Sequence, residues 1–457
     1  MPNRLSLAQM AAQIRSRQIS PVELVEAHLK HIEKYNPRIN AFIQVFADEA
    51  IEQAKSAPPG PLQGVPVTIK DSFNIAGLPT TAGSRLFKDL RASSDATAVA
   101  RLKAAGAIPI GKTNCPEFLS NYESDNNLIG RTNNPWDLER TPGGSSGGEA
   151  AAIASFCSPG GIGSDGGGSI RVPAHFCGIA GLKPTPGRVP ATGHIPEMNH
   201  PGGLLGVAGP MARTAADVRL LFEVLAGYDS QDPFSAPVPL RTPDLTGLRI
   251  GVMPQFYKVP VQRAVAEALN TAEACLKDLG FPTAPFQPAG LQRAPNIWWF
   301  LFGQIPSRIT RQVIAGSEDQ VHWTATEFMN DALQQPEPTW KDVIENLAVR
   351  DKMRGAFLRE LEQTPVILMP VCSTTAFRHR QRRFDTPAKQ IGLFEAMMTA
   401  TMINCLGVPA VTIPFGQDEN GLPVGIQLVG APYSEELLLE LAVRMENARG
   451  IFPGPPA

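Results

Sequence analysis

Two serines lie in glycine-lined turns within one short stretch of the chain. Ser145 belongs to the sequence GGSSGGE at 143–149, and Ser169 belongs to GSDGGGSIR at 163–171. Glycine lets the backbone bend sharply and approach a ligand closely. A serine in such a turn can present its hydroxyl to a carbonyl group while main-chain N–H groups point at the same place. A nucleophile beside such an oxyanion hole is what acyl transfer requires.

A base for these serines is predicted at the end of a short apolar strand, Val65–Lys70. Burial of Lys70 would lower its pKa, because the loss of water disfavours the charged form. A neutral lysine can then act as a general base toward a serine hydroxyl. A lysine at the end of a strand is more often exposed to solvent, so it is the two serine turns that make Lys70 a candidate.

The segment 106–113 matches the phosphate-binding pattern G-x-x-x-x-G-K-[ST]. A phosphate-binding loop needs a strand before it and a helix after it. Here a helix is predicted before the segment, an Ile-Pro-Ile sequence fills its middle, and Pro116 follows soon after the lysine. A strand followed by a turn is therefore the favoured interpretation.

The pattern G-x-S-x-G, typical of α/β-hydrolase nucleophiles, occurs at 143–147 and again at 144–148. That mechanism needs an acid and then a histidine further along the chain. Five histidines follow, and His175, six positions after Ser169, is the nearest to it. An esterase with a Ser-His-Asp triad is the weaker alternative interpretation.

Together these segments resemble the amidase signature family of serine hydrolases. Ser145 and Ser169 are 24 positions apart, which is the family's spacing. The similarity begins near Lys70 and continues to the C-terminal segments 404–414 and 421–427. Only about 286–390 has no counterpart in the family's pattern.

The resemblance implies a Ser-cisSer-Lys triad that acts without metal or cofactor. Ser169 is the expected nucleophile, Ser145 the bridging serine after a cis peptide, and Lys70 the base. The expected oxyanion hole consists of the main-chain N–H groups of Gly166, Gly167, Gly168 and Ser169. The residues expected to support the loop by hydrogen bonds are Ser146, Asp165 and Arg171. Gly166 departs from the pattern, because many relatives have threonine or isoleucine there.

Composition narrows the function classes. The 457 residues have a formal net charge of −2 and only 18% charged residues, so no basic surplus exists for binding nucleic acid. No apolar run reaches the length of a membrane span or a signal peptide. The six cysteines form no C-x-x-C pair, which is typical of buried free thiols in a reducing compartment. We therefore expect a cytoplasmic protein that binds neither nucleic acid nor membrane.

Strands alternate with helices through most of the chain, which favours an α/β fold. We predict a single α/β/α domain, residues 1–457, around a large, mixed, mostly parallel β-sheet. Its catalytic core region is expected at 60–230. A variable, helical, tryptophan-rich segment at 286–390 is interpreted either as a cap over the site or as a layer packed on the core.

The chemistry is better defined than the substrate. Relatives place acyl-pocket residues where this chain has Phe118, Leu119 and Tyr122, and the tryptophan-rich segment adds Trp298 and Trp299 as an apolar wall. Few charges fall in these stretches, so we predict a neutral, hydrophobic or aromatic amide. Such a pocket would also admit esters and carbamates, and the chain resembles the subgroup of amidases that cleave urethanes.

A second function stays open at this stage. The family includes the glutaminase component of glutamyl-tRNA amidotransferase, its A subunit, which works in a complex with partner chains. In that case the apolar region 290–340 would be a docking surface. The favoured interpretation is a monomer or homodimer that acts on a small amide or carbamate.

Overall fold

The computed structural model describes residues 1–456. Within them the strands are β1 Phe42–Val45, β2 Pro66–Lys70, β3 Ile108–Thr113, β4 Gly160–Asp165, β5 Ala180–Lys183, β6 Val207–Ala212, β7 Ile250–Val252, β8 Thr283–Pro285, β9 Val366–Pro370, β10 Arg383–Asp385, β11 Gln390–Gly392, β12 Ala410–Gln417 and β13 Pro423–Gly430.

The α-helices of the same residues are α1 Leu7–Arg15, α2 Pro21–Ile39, α3 Ala47–Ala54, α4 Thr97–Ala104, α5 Gly147–Ala154, α6 Arg171–Cys177, α7 Ala215–Leu225, α8 Arg263–Asp278, α9 Ala294–Trp298, α10 Ile305–Val313, α11 Trp323–Leu333, α12 Trp340–Gln363, α13 Leu393–Ala396, α14 Met398–Leu406 and α15 Glu435–Arg449. A six-residue π-helix, Trp299–Gln304, joins α9 to α10. Across residues 1–456, no helix combines the length and the apolar character needed to cross a membrane.

The two N-terminal helices each begin at a serine that caps the first helical turn. The hydroxyls of Ser6 and Ser20 each accept a hydrogen bond from the main chain of the first helical turn. The N–H of each serine in turn donates to the side-chain oxygen of Gln9 or Glu23. Pro21 occupies the first helical position of α2, where its missing N–H costs no hydrogen bond. The second helix continues to Ile39.

Eleven strands form the main sheet in the order β1-β3-β2-β4-β6-β5-β12-β13-β9-β7-β8 within the described residues. The sheet is mixed, as predicted. Neighbouring strands run parallel in the groups β3-β2-β4 and β9-β7-β8. The other six pairs are antiparallel. The expectation of mostly parallel pairing therefore holds only in these two groups.

One tight turn and one inserted strand produce the antiparallel centre of the sheet. A short turn at 418–422 joins β12 to β13, and a connection of that length can only return the chain antiparallel. β6 lies between β4 and β5 and is antiparallel to both. The crossover through α6 therefore joins two strands that are not neighbours, which no local alternation of strand and helix could reveal.

Helices cover both faces of the sheet, and β9 shows how its strands serve two cores. Val366 and Leu368 pack in the core that contains residues of α7, α8 and α15. Ile367 and Met369 point the opposite way, into the core that contains residues of α9, α12 and α14. Successive side chains of a strand alternate between faces. The predicted α/β/α architecture is confirmed.

The segment predicted as a helical cap, 286–390, is helical only as far as Gln363. Its next element, β9, is a buried strand of the main sheet, because its apolar residues pack into the cores on both faces of the sheet. The first helix of the segment is also a packing element, since Trp298 is only 2% exposed. Trp340 lies at the other extreme, 83% exposed on the outer surface.

Candidate active site

Lys70 is the last residue of β2, and all five residues of that strand are buried. Its Nζ atom lies 2.7 Å from the Oγ of Ser145 and 3.0 Å from the Oγ atoms of both Ser146 and Ser164. Burial lowers the pKa of Lys70 to about 8, because the interior solvates an ammonium group poorly. The amine is thus surrounded by hydroxyl groups and can be neutral near physiological pH.

The three hydroxyls around the amine differ in where their own protons can go. Ser146 Oγ donates to the main-chain oxygen of Ser164 at 3.2 Å, so it can only accept from Lys70. Among residues 1–456, the hydroxyls of Ser145 and Ser164 have no other acceptor. A neutral amine has a lone pair, so one of these two serines can donate its proton to Nζ.

Ser164 is a site residue that the sequence interpretation missed. It lies near the end of β4, which runs parallel to β2 and is paired with it through Thr68 and Ile69. The ends of adjacent parallel strands meet at the same edge of a sheet, which is where α/β proteins place their sites. The pairing of these two strands was the signal that could have identified Ser164.

Ser145 follows a cis peptide bond with Gly144, the isomer that the family resemblance implies. Gly144 has no room for a side chain, because a Cβ atom there would be 2.5 Å from the main-chain oxygen of Asn121. Immediately after the two serines the chain enters α5 at Gly147. The turn therefore places Ser145, 1% exposed, directly against the buried lysine.

Ser169 lies in the turn between β4 and α6 and is partly exposed. Its main-chain oxygen accepts a hydrogen bond of 3.1 Å from the N–H of Ser146. This bond joins the two serine turns, because that N–H belongs to the peptide that links Ser145 to Ser146. The Ser169 hydroxyl has no hydrogen-bond partner among residues 1–456, so it is free to face a ligand.

The glycine turn before Ser169 is oriented by two aromatic side chains. Trp298 donates from Nε1 to the oxygen of Gly166 at 2.6 Å, and the Tyr122 hydroxyl donates to the oxygen of Gly167 at 2.8 Å. A peptide group is planar and trans, so its N–H points away from its oxygen. By holding the Gly166 oxygen, Trp298 also directs the N–H of Gly167.

The N–H groups of the predicted oxyanion hole are not equivalent. Gly168, whose φ is +112°, donates its N–H to the carboxylate of Asp165 at 2.8 Å, so this donor is already engaged. The N–H groups of Gly166, Gly167 and Ser169 have no acceptor within the described part of the chain. These three are the donors that can stabilise an oxyanion.

Asp165 and Arg171 form a fully buried ion pair with an N–O distance of 3.0 Å. Burial alone would raise the pKa of Asp165, but the guanidinium of Arg171 holds it well below its usual range. The carboxylate also accepts from Asn404 at 2.9 Å, and Arg171 donates to Gln427 at 3.0 Å. The pair thus anchors both ends of the turn that carries Ser169 to the C-terminal part of the sheet and α14.

A second buried carboxyl group lies near the lysine. Glu149 accepts hydrogen bonds from the hydroxyls of Thr68 at 2.5 Å and Thr113 at 2.7 Å. Burial raises the pKa of Glu149 to about 7. Its charge favours the protonated form of Lys70, so it opposes the effect of burial on that group.

The structure separates the five predicted pocket residues. Tyr122 and Trp298 contact the glycine turn, as described above. Phe118 does not, because it packs in a separate cluster with residues of α11. The chain turns there with positive φ angles at Phe118 and at the half-buried Leu119. The ring of Trp299 instead packs against Phe328 and Phe394.

His175 does not supply the base that the esterase alternative needs. Its Nδ1 accepts from the N–H of Gly425 at 2.6 Å, and its Nε2 lies 2.9 Å from the oxygen of Thr374. Burial lowers the pKa of His175 to about 4. Both ring nitrogens are engaged by the main chain, so this histidine cannot take a proton from Ser169.

Comparison with known proteins points to the family that the sequence motifs resemble. A family model described as Amidase matches residues 23–439. The A subunit of glutamyl-tRNA(Gln) amidotransferase from Chloroflexus aurantiacus is 35% identical over 96% of this chain and 95% of that protein. The structure of 6-aminohexanoate cyclic dimer hydrolase complexed with substrate is 29% identical, with a TM-score of 0.88 over 98% of each chain. A bacterial aryl acylamidase is 27% identical, with a TM-score of 0.87 over 97% of this chain and 96% of that one. The chain therefore belongs to the amidase signature family and is a hydrolase of amide C–N bonds.

Proposed function

We propose that Ser169 is the nucleophile of this hydrolase, with Ser145 as proton relay and Lys70 as base. The observation that carries the proposal is the 2.7 Å contact between Lys70 Nζ and Ser145 Oγ in a buried site. The hydrogen bond from Ser146 N–H to the Ser169 oxygen supports it, because it holds the relay and the nucleophile side by side.

The reaction begins when the Ser169 oxygen attacks the substrate carbonyl carbon. Its proton passes to Ser145, whose own proton passes to the neutral amine of Lys70. The carbonyl oxygen becomes an oxyanion, which accepts from the N–H groups of Gly166, Gly167 and Ser169. The C–N bond then breaks as the relay returns a proton to the leaving amine. Water cleaves the acyl-enzyme through the same relay and releases the acid.

The proposed substrate is a neutral amide with a hydrophobic or aromatic group. Tyr122, Trp298 and Phe302 surround the glycine turn, and a Cβ atom at Gly167 would be only 2.5 Å from the indole of Trp298. Aromatic rings so close to the reacting carbonyl favour flat apolar groups. Esters and carbamates present a similar carbonyl, so we propose that the site also cleaves aryl esters and urethanes.

A glutaminase working within an amidotransferase is the second candidate, because the chain is 35% identical to the A subunit of such an enzyme over nearly its whole length. Binding free glutamine requires partners for an ammonium and a carboxylate group. The aromatic surroundings of the glycine turn do not favour such a substrate. We therefore propose that the chain acts on a small substrate as a monomer or homodimer, without amidotransferase partners.

Replacement of the nucleophile tests the catalytic proposal. Ser169→Ala should abolish both amide turnover and labelling by a fluorophosphonate. The matched control is Ser72→Ala, which removes another buried hydroxyl, one that has no hydrogen-bond partner in residues 1–456. Labelling of Ser169→Ala at wild-type rate would refute the assignment.

A substrate panel tests the specificity proposal. The purified chain should cleave 4-nitroanilides, aryl esters and N-aryl carbamates, ignore glutamine, and elute from size-exclusion chromatography as a monomer or homodimer. Release of ammonia from glutamine without hydrolysis of anilides would favour the amidotransferase candidate instead.

A further inference from the structure

The ring of Phe302 occupies the place where most side chains at residue 166 would begin. A Cβ atom added to Gly166 would overlap the tip of this ring, with Cε2 only 2.5 Å away. The ring also stacks on Trp298, with centroids 5.5 Å apart and planes 23° apart. Phe302 thus lies against the first residue of the turn whose N–H groups face the proposed oxyanion.

Trp298 and Phe302 reach the glycine turn from the junction of α9 and the π-helix. Trp298 ends α9 and bonds the Gly166 oxygen, and Phe302 follows four residues later within the π-helix 299–304. A π-helix is wound more widely than an α-helix and occurs mostly as a short insertion within α-helices, frequently at functional sites. Here the two rings stack with both in contact with the same glycine turn.

We infer that Phe302, packed on a glycine at position 166, determines which substrates this hydrolase accepts. The ring forms the wall beside the reacting carbonyl that a side chain at residue 166 would otherwise form. The inference rests on the proposed role of Ser169 and adds a specificity-determining residue to it. The substrate class that fits is an amide whose carbonyl carries a flat aromatic group.

The shape of the two stacked rings indicates which acyl groups fit beside them. The stacked pair of Trp298 and Phe302 presents flat, rigid surfaces, against which an aryl group can lie. A branched group such as tert-butyl extends in three directions from the carbon beside the carbonyl and would meet the Phe302 ring. Phe302 is partly exposed at one side, so its removal opens space at the site without emptying a closed core.

Substrate selectivity is the first test. The nitroanilides of benzoic acid and pivalic acid differ in the shape of the acyl group and share one leaving group. Phe302→Ala should raise kcat/KM for the pivaloyl substrate relative to the benzoyl substrate by about tenfold or more, the scale of a reshaped apolar pocket. Phe328→Ala is the matched control, because it removes a half-buried ring that also packs on Trp298. An unchanged ratio in Phe302→Ala would overturn the inference.

A rescue experiment tests the contact itself. The backbone at Gly166 does not have a positive φ, so an alanine there is not strained by its main chain. Gly166→Ala should therefore slow the reaction of Ser169 mainly because its Cβ atom overlaps the Phe302 ring. We expect the variant to react with a fluorophosphonate about tenfold or more slowly than wild type. Gly166→Ala combined with Phe302→Ala should recover the labelling rate of Phe302→Ala alone, whereas Gly166→Ala with Phe328→Ala should not.

The outcomes separate this inference from the proposed function. If wild type reacts at Ser169 but the double variant with Phe302→Ala shows no recovery, the Phe302 inference is wrong and the nucleophile assignment stands. If wild type is not labelled at Ser169, both fail together. Thermal unfolding of every variant distinguishes a loss of selectivity from a loss of folded protein.

Discussion

The amine of Lys70 lies 2.7 Å from the hydroxyl of Ser145, and both groups are buried. Such a contact transfers a proton only when the nitrogen has a free lone pair. The protonation state of Lys70 should therefore control the rate at which the proposed relay can work.

Activity should rise with pH and level off above about pH 8. Burial has lowered the pKa of Lys70 to about 8, so the ammonium form predominates below that pH and the neutral base above it. The measurement is kcat/KM for a neutral anilide against pH, which reports ionisations of the free enzyme. Lys70→Ala should lose about 100-fold or more in rate and lose this ionisation. The rising part of the profile on its acidic side is the acidic limb. An identical acidic limb in Lys70→Ala would contradict the assignment of this ionisation to Lys70.

Glu149 provides an internal check on that ionisation. Its carboxylate favours the charged lysine, so Glu149→Gln should move the acidic limb to lower pH while the amide keeps hydrogen-bond partners in Thr68 and Thr113. A shift to higher pH would show that the limb does not belong to Lys70.

Ser164→Ala should also change the pH profile. Ser164 accepts one of the three hydrogen bonds that an ammonium at residue 70 can donate. A hydrogen bond to a charged group is worth about 1.5–3 kcal/mol, so its loss should lower the pKa of Lys70 by about one to two units. Ser72→Ala, which removes a buried hydroxyl that bonds to none of residues 1–456, should leave the profile unchanged. No movement of the limb in Ser164→Ala would exclude this role.

Asp165→Asn should destabilise the protein as well as inactivate it. The substitution leaves the Arg171 guanidinium buried without its anion, which typically costs about 3–5 kcal/mol of folding free energy. The control is Asp137→Asn, which breaks the more exposed ion pair to Arg140 and should cost less than about 1 kcal/mol. Urea unfolding of both variants measures the difference. Equal decreases in the free energy of unfolding would show that the buried pair contributes no more to stability than the exposed one.

Trp298→Phe should lower kcat more than it raises KM. The variant keeps an aromatic ring but loses the donor that fixes the Gly166 oxygen and, through the planar peptide, the N–H of Gly167. We expect a loss of about tenfold, less than the roughly 100-fold effect of removing an oxyanion donor outright. Trp136→Phe loses an indole hydrogen bond to Cys177 elsewhere in the fold and should not reproduce the effect. A change confined to KM would point to substrate contact instead of donor orientation.

The features that sequence could predict are those determined by neighbouring residues. Caps at Ser6 and Ser20 define helix starts, and the turns around Ser145 and Ser169 are marked by glycines whose backbone permits close approach. The apolar residues of β2 end in Lys70, and the two serine turns, not the strand alone, made this lysine a candidate base.

The features that sequence could not predict depend on distant parts of the chain. β6 inserts between β4 and β5 through pairings that no local pattern encodes. Ser164 contacts the amine of Lys70 because β4 pairs with β2. Phe118 packs with residues of α11, a contact between distant parts of the chain, and its place in the acyl pocket stays a prediction. Each outcome was decided by tertiary packing, which overrides local preference.

The anchoring of Asp165 to Asn404 and of Arg171 to Gln427 spans more than half the chain. Synthesis on the ribosome delivers the turn that carries Ser169 long before these partners emerge. Until the last two strands of the sheet have been made and inserted, the turn lacks its supports and its donors have no fixed direction. Chemical competence should thus appear late in biogenesis, and a chain that stops short of residue 427 should carry a serine that is present but unreactive.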